Sequence, residues 1–171
     1  GLVVADSFLA SGVDRAAVRS GLDERGRCNG VRLARLVLDA ADGGAESPGE
    51  SHLRFVLWAY GLPRPETQVR ISTHRGDYWA DLGWSRWRVV LEYDGLGKYR
   101  GDAGDDSHEA LIREKRRHDA IQEAGYRIVR VTKYDLRRPD DLVRRILALL
   151  PREVAESLTP SRELILLCTG R

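Results

Sequence analysis

The sequence predicts an α/β fold in which helices flank a mixed β-sheet. Three segments with strand character follow one another closely in the middle of the chain, after a helical pattern. A long helical pattern, a fourth strand and a last helix complete the order helix, three strands, helix, strand, helix. The 171 residues are 42% hydrophobic and 32% charged, which is typical of a globular chain and excludes a disordered one.

Residues 1–44 are predicted to form a small helical N-terminal arm. Asp14 is suited to cap a helix over Arg15–Glu24, and apolar residues then repeat at helical spacing up to Leu38. This segment has too little apolar surface to fold alone, so we expect it to pack on the rest of the chain or to belong to a larger unit. The chain contains no Met, from which we expect a trimmed chain that lacks an upstream domain.

The main domain, residues 45–150, is predicted to begin with a well-capped helix. Ser47 is suited to the cap, and Pro48 fills the first helical position, where no N–H is needed. Glu50 completes a capping box by reaching back to the Ser47 backbone N–H. The helix is expected to end at Gly61.

The remaining elements are predicted from alternation, helical spacing and turn residues. Strands are predicted at Thr67–Ser72, Tyr78–Trp84, Arg88–Tyr93 and Tyr126–Thr132, with the first three forming an antiparallel meander. Helices are predicted at Glu109–Ala124, capped by Ser107 and closed by Gly125, and from Asp140 or Asp141 to Leu150. Gly95–Asp106 is predicted to be a loop. The C-terminal tail, residues 151–171, contains the apolar run Leu164–Leu167, interpreted as a strand or a docking segment.

Composition and charge exclude several classes of function. No apolar run approaches the roughly 20 residues of a membrane helix, so no membrane partner is expected. Cys28 and Cys168 are too few for a zinc site and are expected to be buried in a cytoplasmic protein. The 28 Lys and Arg residues nearly balance 26 Asp and Glu residues, but the bases concentrate in the last third of the chain. That distribution favours a phosphate-binding face there.

Three carboxylates of the predicted strands are the strongest candidates for a functional site. Glu92 and Asp94 share one face of their strand because side chains alternate. With an even number of loop residues before that strand, Asp81 lies opposite or diagonal to Glu92, at about 4.5–8 Å between Cβ atoms. Such oxygen ligands favour Mg²⁺ or Mn²⁺ over zinc. The alternative is that these acids form salt bridges with Arg88, Lys98 or the basic helix, or face solvent.

The spacing of several short motifs together resembles the PD-(D/E)XK nuclease superfamily. The motifs are Asp81, ten further residues, Glu92-Tyr93-Asp94-Gly95, the helical segment Arg113-Glu114-Lys115-Arg116-Arg117, and Gly125-Tyr126-Arg127-Ile128-Val129-Arg130-Val131. More narrowly, the pattern is similar to an actinobacteria-rich family related to very-short-patch-repair endonucleases. The resemblance covers about residues 46–150 and implies a restriction-endonuclease-like mixed sheet with helices on both sides.

The resemblance implies metal-ligand roles for Glu50, Asp81 and Glu92, together with the Tyr93 carbonyl, and Mg²⁺ or Mn²⁺ as the cofactor. Asp94 stands where the superfamily has a Lys. Its implied role is that of an outer ligand of the metal or of a base that aligns the attacking water. The repair-endonuclease relatives also hold a zinc ion and use His near the active site. Because this chain lacks both sets of residues, mismatch repair is not implied.

The missing motif Lys requires another cation, for which Lys98, Lys115 and Arg117 are the candidates. The long helix is expected to turn Leu111, His118, Ile121 and Ala124 to the core. Its bases either form a solvated face or contact phosphate. The residues assigned to nucleic-acid binding are Lys98, Arg113, Arg116, Arg117 and Arg130. Trp79, Trp84 and Trp87 are expected to lie in the core rather than to stack on bases.

The activity that the resemblance implies is Mg²⁺-dependent endonuclease hydrolysis of DNA phosphodiester bonds, with Asp81, Glu92, Asp94 and a helix cation (Lys115 or Arg117) as catalytic residues. The alternative is an inactive nuclease-fold module that binds DNA or protein within a regulatory or toxin–antitoxin protein. Members of the family carry an upstream antitoxin-like winged-helix domain, which is expected to precede this arm. The oligomeric state stays open, a homodimer included.

Overall fold

The computed structural model describes residues 1–95 and 106–169, and within these ranges the strands form a single four-stranded sheet. The strands are β1 Glu66–Thr73, β2 Gly76–Trp84, β3 Val89–Asp94 and β4 Arg127–Thr132. Their order in the sheet is their order in the chain. β1, β2 and β3 are antiparallel neighbours, and β4 lies parallel to β3. The predicted mixed sheet with its antiparallel meander is therefore confirmed.

Helices cover both faces of this sheet. They are α1 Leu2–Ala10, α2 Arg15–Glu24, α3 Val31–Ala40, α4 Pro48–Ala59, α5 Asp106–Glu123, α6 Lys133–Leu136, α7 Pro139–Leu147, α8 Arg152–Glu156 and α9 Arg162–Thr169. Asp14 caps α2 as predicted, since its Oδ1 accepts the Ala16 N–H at 2.9 Å. Among the described residues, no helix is long and apolar enough to cross a membrane.

Three sequence predictions about these elements are wrong, and a fourth is narrowed to one of its alternatives. α5 begins at Asp106, so Ser107 lies inside the helix instead of capping it. α7 begins one residue early, at Pro139, because proline fits the first helical position. Of the two alternatives for the tail run around Leu164, the docking segment is confirmed: the run is helical, and Leu164 packs against the larger hydrophobic core. Cys28 is exposed because it lies in the turn between α2 and α3.

The two faces of the sheet carry separate hydrophobic cores. The larger core joins Leu53 of α4 and Ile146 of α7 to the sheet, whereas the smaller one joins Ile121 of α5 to Val90. The buried apolar residues of α5, Ala120 and Ile121, lie in its C-terminal half. Leu111 is 67% exposed, and its predicted place in the core is wrong.

The N-terminal arm is joined to α4 by a buried ion pair. Arg54 Nη1 lies 2.7 Å from Asp6 Oδ2, with the two side chains 4% and 1% exposed. Asp6 Oδ1 also accepts the Asp42 N–H at 2.8 Å, and Arg54 donates to the Ala40 carbonyl. Because each charge is hydrogen-bonded, the pair is a specific attachment between the arm and the sheet domain.

Candidate functional site

Asp81 lies where the regular alternation of β2 is broken. Ala80 belongs to the smaller core and Leu82 to the larger one, although residues two positions apart on a strand normally share a face. On β1, Gln68 lies opposite Asp81 between the paired residues and has a left-handed φ of 50°. A non-glycine residue with positive φ marks local strain or a sharp twist. The strand pair therefore turns at Asp81, between the two cores.

The end of β3 brings Glu92 next to Asp81. The β2–β3 ladder ends where Leu82 pairs with Leu91, and Asp81 and Glu92 are the next residue on each strand. Asp81 Oδ2 accepts the backbone N–H of Tyr93 at 2.6 Å, which fixes the carboxylate against the strand. The loop before β3 has four residues, the even number on which the sequence expectation depended.

The electrostatics of Asp81 show that other acids lie close to it. The pKa of Asp81 is raised overall from 3.8 to about 6; burial is the largest cause, and the hydrogen bond from Tyr93 opposes the rise. The carboxylates of Glu50 and Glu92 raise the pKa further, while the Arg117 charge lowers it. An acid between two other acids is costly to ionise unless a cation compensates it. The site therefore concentrates negative charge around Asp81.

Glu50 approaches this pair from α4 but is committed to the helix cap. Its Oε1 accepts the Ser47 hydroxyl and its Oε2 accepts the Glu46 N–H, both at 2.8 Å. Ser47 Oγ in turn accepts the Glu50 N–H at 3.2 Å. The predicted capping box is thus corrected in one detail, since Glu50 reaches the Glu46 N–H and not that of Ser47. The side chain is 6% exposed and both oxygens have donors.

A close contact of Tyr93 positions α4 at the site. Gly49, in the first turn of α4, lies under the ring: a Cβ there would be 2.0 Å from Tyr93 Cε1. Only glycine lets the ring approach the helix backbone this closely. The contact fixes the start of α4, and with it Glu50, against the end of β3.

Two arginines, from α5 and β4, neutralise Glu92. Arg117 Nη2 lies 2.6 Å from Glu92 Oε1, and Arg130 Nε lies 3.9 Å from Oε2. Glu92 Oε1 is buried, yet no donor reaches it with good hydrogen-bond geometry. Arg117 also donates to the Trp79 carbonyl at 3.1 Å, and Arg130 pairs with Glu114. Glu92 thus has ionic partners but keeps an oxygen whose hydrogen bonding is incomplete.

The remaining predicted site residues lie apart from the Asp81–Glu92 pair or have other partners. Lys115 is exposed and makes no ion pair or hydrogen bond to any described residue, because it lies about 200° around α5 from Arg117. Arg113 pairs with Glu109, and Arg116 is exposed. Asp94 ends β3 beside Thr132 of β4. The predicted cation Lys98 lies outside the described residues.

A divalent cation fits Asp81 and Glu92 better than it fits all three acids. Within residues 1–95 and 106–169, no group of three or more His, Cys, Asp or Glu side chains is arranged to hold a metal. The two strand acids offer oxygen ligands on neighbouring strands, with Arg117 beside Glu92 Oε1. Glu50 does not fit as a ligand in this arrangement because its own helix start occupies both oxygens.

Two features of the site were not predicted from the sequence. Trp79 is 52% exposed, so the expectation that it lies in the core is wrong, whereas Trp84 is 2% exposed as expected. Alternation was the available signal: Tyr78 and Ala80 face the smaller core, which turns Trp79 outward. The packing of Tyr93 on Gly49 had no signal in the sequence, because it depends on how α4 meets the sheet.

The chain is similar to curated mycobacterial proteins. It is 39% identical over 132 residues to "Uncharacterized protein MT2308" of Mycobacterium tuberculosis (strain CDC 1551 / Oshkosh). The same values hold for "Uncharacterized protein Rv2248" of Mycobacterium tuberculosis (strain ATCC 25618 / H37Rv). The similarity covers 76% of this chain and 46% of each relative, so the chain spans about half the length of the curated relatives it matches. No family model matches the chain, and no solved structure matches it.

Proposed function

We propose that this protein is a divalent-metal-dependent nuclease that hydrolyses phosphodiester bonds in DNA. The observation that carries the proposal is the meeting of Asp81 and Glu92 on neighbouring strands, at the break in β2, beside Arg117. The resemblance to PD-(D/E)XK nucleases supports it. A mixed sheet with helices on both sides is also the fold that the resemblance implies.

In this proposal Asp81 and Glu92 hold the ion, with the Tyr93 carbonyl as a further ligand. Bound there, Mg²⁺ or Mn²⁺ lowers the pKa of its water and neutralises charge on the phosphoryl group. With a pKa of about 6, Asp81 is ionised at neutral pH and available as a ligand. Glu50 acts through position: its buried carboxylate adds negative potential at Asp81 while its oxygens cap α4.

Arg117 takes the electrophilic role in the absence of the motif Lys. Its guanidinium is permanently charged and lies beside Glu92, so a phosphate oxygen bound at the pair meets a positive charge. Asp94, two residues after Glu92 on the same strand, is proposed to align the attacking water. Lys115 points away from the pair and is assigned to contact with DNA at most, together with Arg113 and Arg116.

Cleavage of plasmid and short duplex DNA with Mn²⁺ tests the proposal. Asp81→Asn and Glu92→Gln should reduce cleavage by at least about 100-fold, because each removes a charge that holds the ion. Asp77→Asn is the matched control: Asp77 lies on the same strand but pairs with Arg70. Mn²⁺ should also raise the melting temperature of the parent and not that of the two site variants.

Two outcomes contradict the proposal that the protein is a nuclease. Undiminished cleavage by Asp81→Asn assigns the activity to another site or to a contaminant. No cleavage of any tested DNA, together with no stabilisation by Mn²⁺ or Mg²⁺, rejects the metal site itself.

The second candidate is an inactive nuclease-fold module that binds DNA or a protein partner. The observation that favours it is the neutralisation of Glu92 by Arg117 and Arg130, which already compensates one acid without a metal. It predicts salt-sensitive DNA binding that is unchanged by Mn²⁺ and is not followed by cleavage. We also propose an upstream winged-helix domain and a homodimer. We also propose a cytoplasmic location, which the free thiols Cys28 and Cys168 support.

A further inference from the structure

A group of exposed basic and aromatic residues lies directly after β4. Lys133, Tyr134, Arg137 and Arg138 lie on α6 and on the turn into α7, and all four are exposed. We call these four residues the basic corner. Tyr134, Arg137 and Arg138 border a cavity of about 530 Å³ between α6 and the start of α7. No role in the proposed catalysis uses them.

The acids near the basic corner are already satisfied by other groups. Asp135 accepts the Thr132 N–H at 2.8 Å and lies 2.5 Å from Arg145. Asp141 pairs with Arg144 at 3.0 Å, and Asp140 accepts the Tyr60 hydroxyl.

The three cations of the basic corner have no such partners. Within the described ranges, Lys133, Arg137 and Arg138 form no ion pair. They therefore give the corner an uncompensated positive charge that is open to an anionic ligand.

The aromatic residue of the corner adds a second recognition element. The Tyr134 ring is 57% exposed, and Lys133 Nζ and the Arg137 guanidinium lie 5.4 and 5.8 Å from its centre. A flat ring flanked by cations suits a nucleic-acid strand, whose bases stack on aromatic rings while its phosphates meet the cations. A small free anion would leave the ring without a role.

The position of the corner connects it with the acidic pair. Thr132, which caps α6, pairs with Asp94 of β3. β3 and β4 are parallel, so the corner begins at the same edge of the sheet at which Glu92 and Asp94 end. Neighbouring strands are about 4.8 Å apart. A DNA backbone that lies on the corner therefore leads towards Asp81 and Glu92.

We infer that the basic corner binds the phosphate backbone of the DNA strand that reaches the Asp81–Glu92 pair. The inference rests on the proposed function for the identity of the ligand. Lys133, Arg137 and Arg138 supply the phosphate contacts, and Tyr134 stacks on an unpaired or terminal base.

Binding of fluorescein-labelled DNA, measured by anisotropy in EDTA over a range of salt concentrations, tests this inference without catalysis. The double variant Arg137→Gln/Arg138→Gln should bind a 20-base-pair duplex at least about tenfold more weakly. It should also reduce the slope of log Kd against log salt by about 1.8, since each lost phosphate contact is worth about 0.9. Tyr134→Ala should weaken binding to a single-stranded end and leave the slope unchanged.

The matched control removes the same charge from another surface. Arg25 and Arg27 are exposed in the turn between α2 and α3, so Arg25→Gln/Arg27→Gln has the same net charge as the test variant. Weaker DNA binding by the test variant, together with control binding equal to that of the parent, supports the basic corner as the binding site. Equal losses in both double variants mean that bulk charge alone attracts DNA, and no loss in the test variant also overturns the inference.

The test separates this inference from the proposed function. Asp81→Asn should lose cleavage but still bind DNA in EDTA, because the basic corner is intact. If DNA binding depends on the corner but the parent never cuts, the nuclease proposal fails and the corner stands. If the parent cuts while the corner variant binds and cuts normally, the corner fails and the nuclease stands.

Discussion

Removal of the Asp81 charge should stabilise the protein when no metal is present. The pKa of Asp81 is raised by burial and by the carboxylates of Glu50 and Glu92. The folded chain therefore keeps a proton at pH values at which the unfolded chain has already lost it. Ionising Asp81 in the folded state costs free energy, and Asp81→Asn avoids this cost. The Asn side-chain oxygen can still accept the Tyr93 N–H.

The size of the effect is set by the pKa. A change from 3.8 to about 6 corresponds to about 3 kcal/mol in a fully shielded site. Asp81 is only partly buried, so solvent screens this cost and we expect a gain of about 1 kcal/mol at pH 7. In a chain of 171 residues that gain raises the melting temperature by about 2–4 °C.

The pH dependence gives the prediction its sign. The cost is absent below about pH 4, where Asp81 is protonated in both states, and is fully present above about pH 6. Urea unfolding in EDTA should therefore show the largest gain of Asp81→Asn near pH 7, and the gain should shrink as the pH falls towards 4. An Asp81→Asn protein that is less stable than the parent at pH 7, or a gain independent of pH, refutes this account of the site.

Asp135 provides the control of opposite sign. Burial raises its pKa, but the hydrogen bonds from Thr132 and the nearby Arg145 guanidinium outweigh burial, so the pKa of Asp135 is lowered overall. Its charge stabilises the fold above its unfolded pKa, and this stabilisation is lost as the pH falls through the folded pKa. Asp135→Asn should therefore lower the urea midpoint at pH 7 under the conditions in which Asp81→Asn raises it.

Two further predictions concern the packing that supports the site. Gly49→Ala should cost about 1–3 kcal/mol in urea unfolding, because the new methyl group displaces the Tyr93 ring, and DNA cleavage should fall with it. Gly21→Ala, inside α2 with open space around it, should instead raise the free energy of unfolding by about 0.5–1 kcal/mol. Equal effects of the two substitutions would show that the Tyr93 ring does not require glycine at position 49. Asp6→Ala should cost about 3–5 kcal/mol by leaving Arg54 buried without its partner, and adding Arg54→Met should restore part of the loss. A midpoint unchanged by Asp6→Ala would show that the arm is not attached through this pair.

The helices and strands were predictable because their signals are local. The cap residues Asp14 and Ser47 and the alternation within β1 to β3 each act over a few neighbouring residues. The errors arose where neighbours in space decide the outcome. Leu111 and Ile121 were predicted to share one core-facing stripe, yet Leu111 is 67% exposed and Ile121 is fully buried, because burial depends on what packs against each part of the helix.

The candidate site was predictable in part for the same reason. The proximity of Asp81 and Glu92 follows from the strand register, which the short connection between β2 and β3 limits. The choice of cation is not set by register. Lys115 and Arg117 are two residues apart in a strongly basic helix, and only the packing of that helix on the sheet decides which one faces Glu92.

The packing of α5 explains why Arg117 is the residue that meets Glu92. Ile121 anchors α5 in the smaller core together with Val90. From that anchor, Arg117 lies one helical turn back, about 6 Å along α5, and Glu92 lies two residues on, about 6.6 Å along β3. α5 connects two parallel strands, so it runs antiparallel to β3, and the two steps lead in the same direction. Arg117 therefore supplies a positive charge beside Glu92, whereas the strand itself carries Asp94 at the position of the motif Lys. Arg117 reaches Glu92 because the packing of Ile121 in the smaller core fixes both distances.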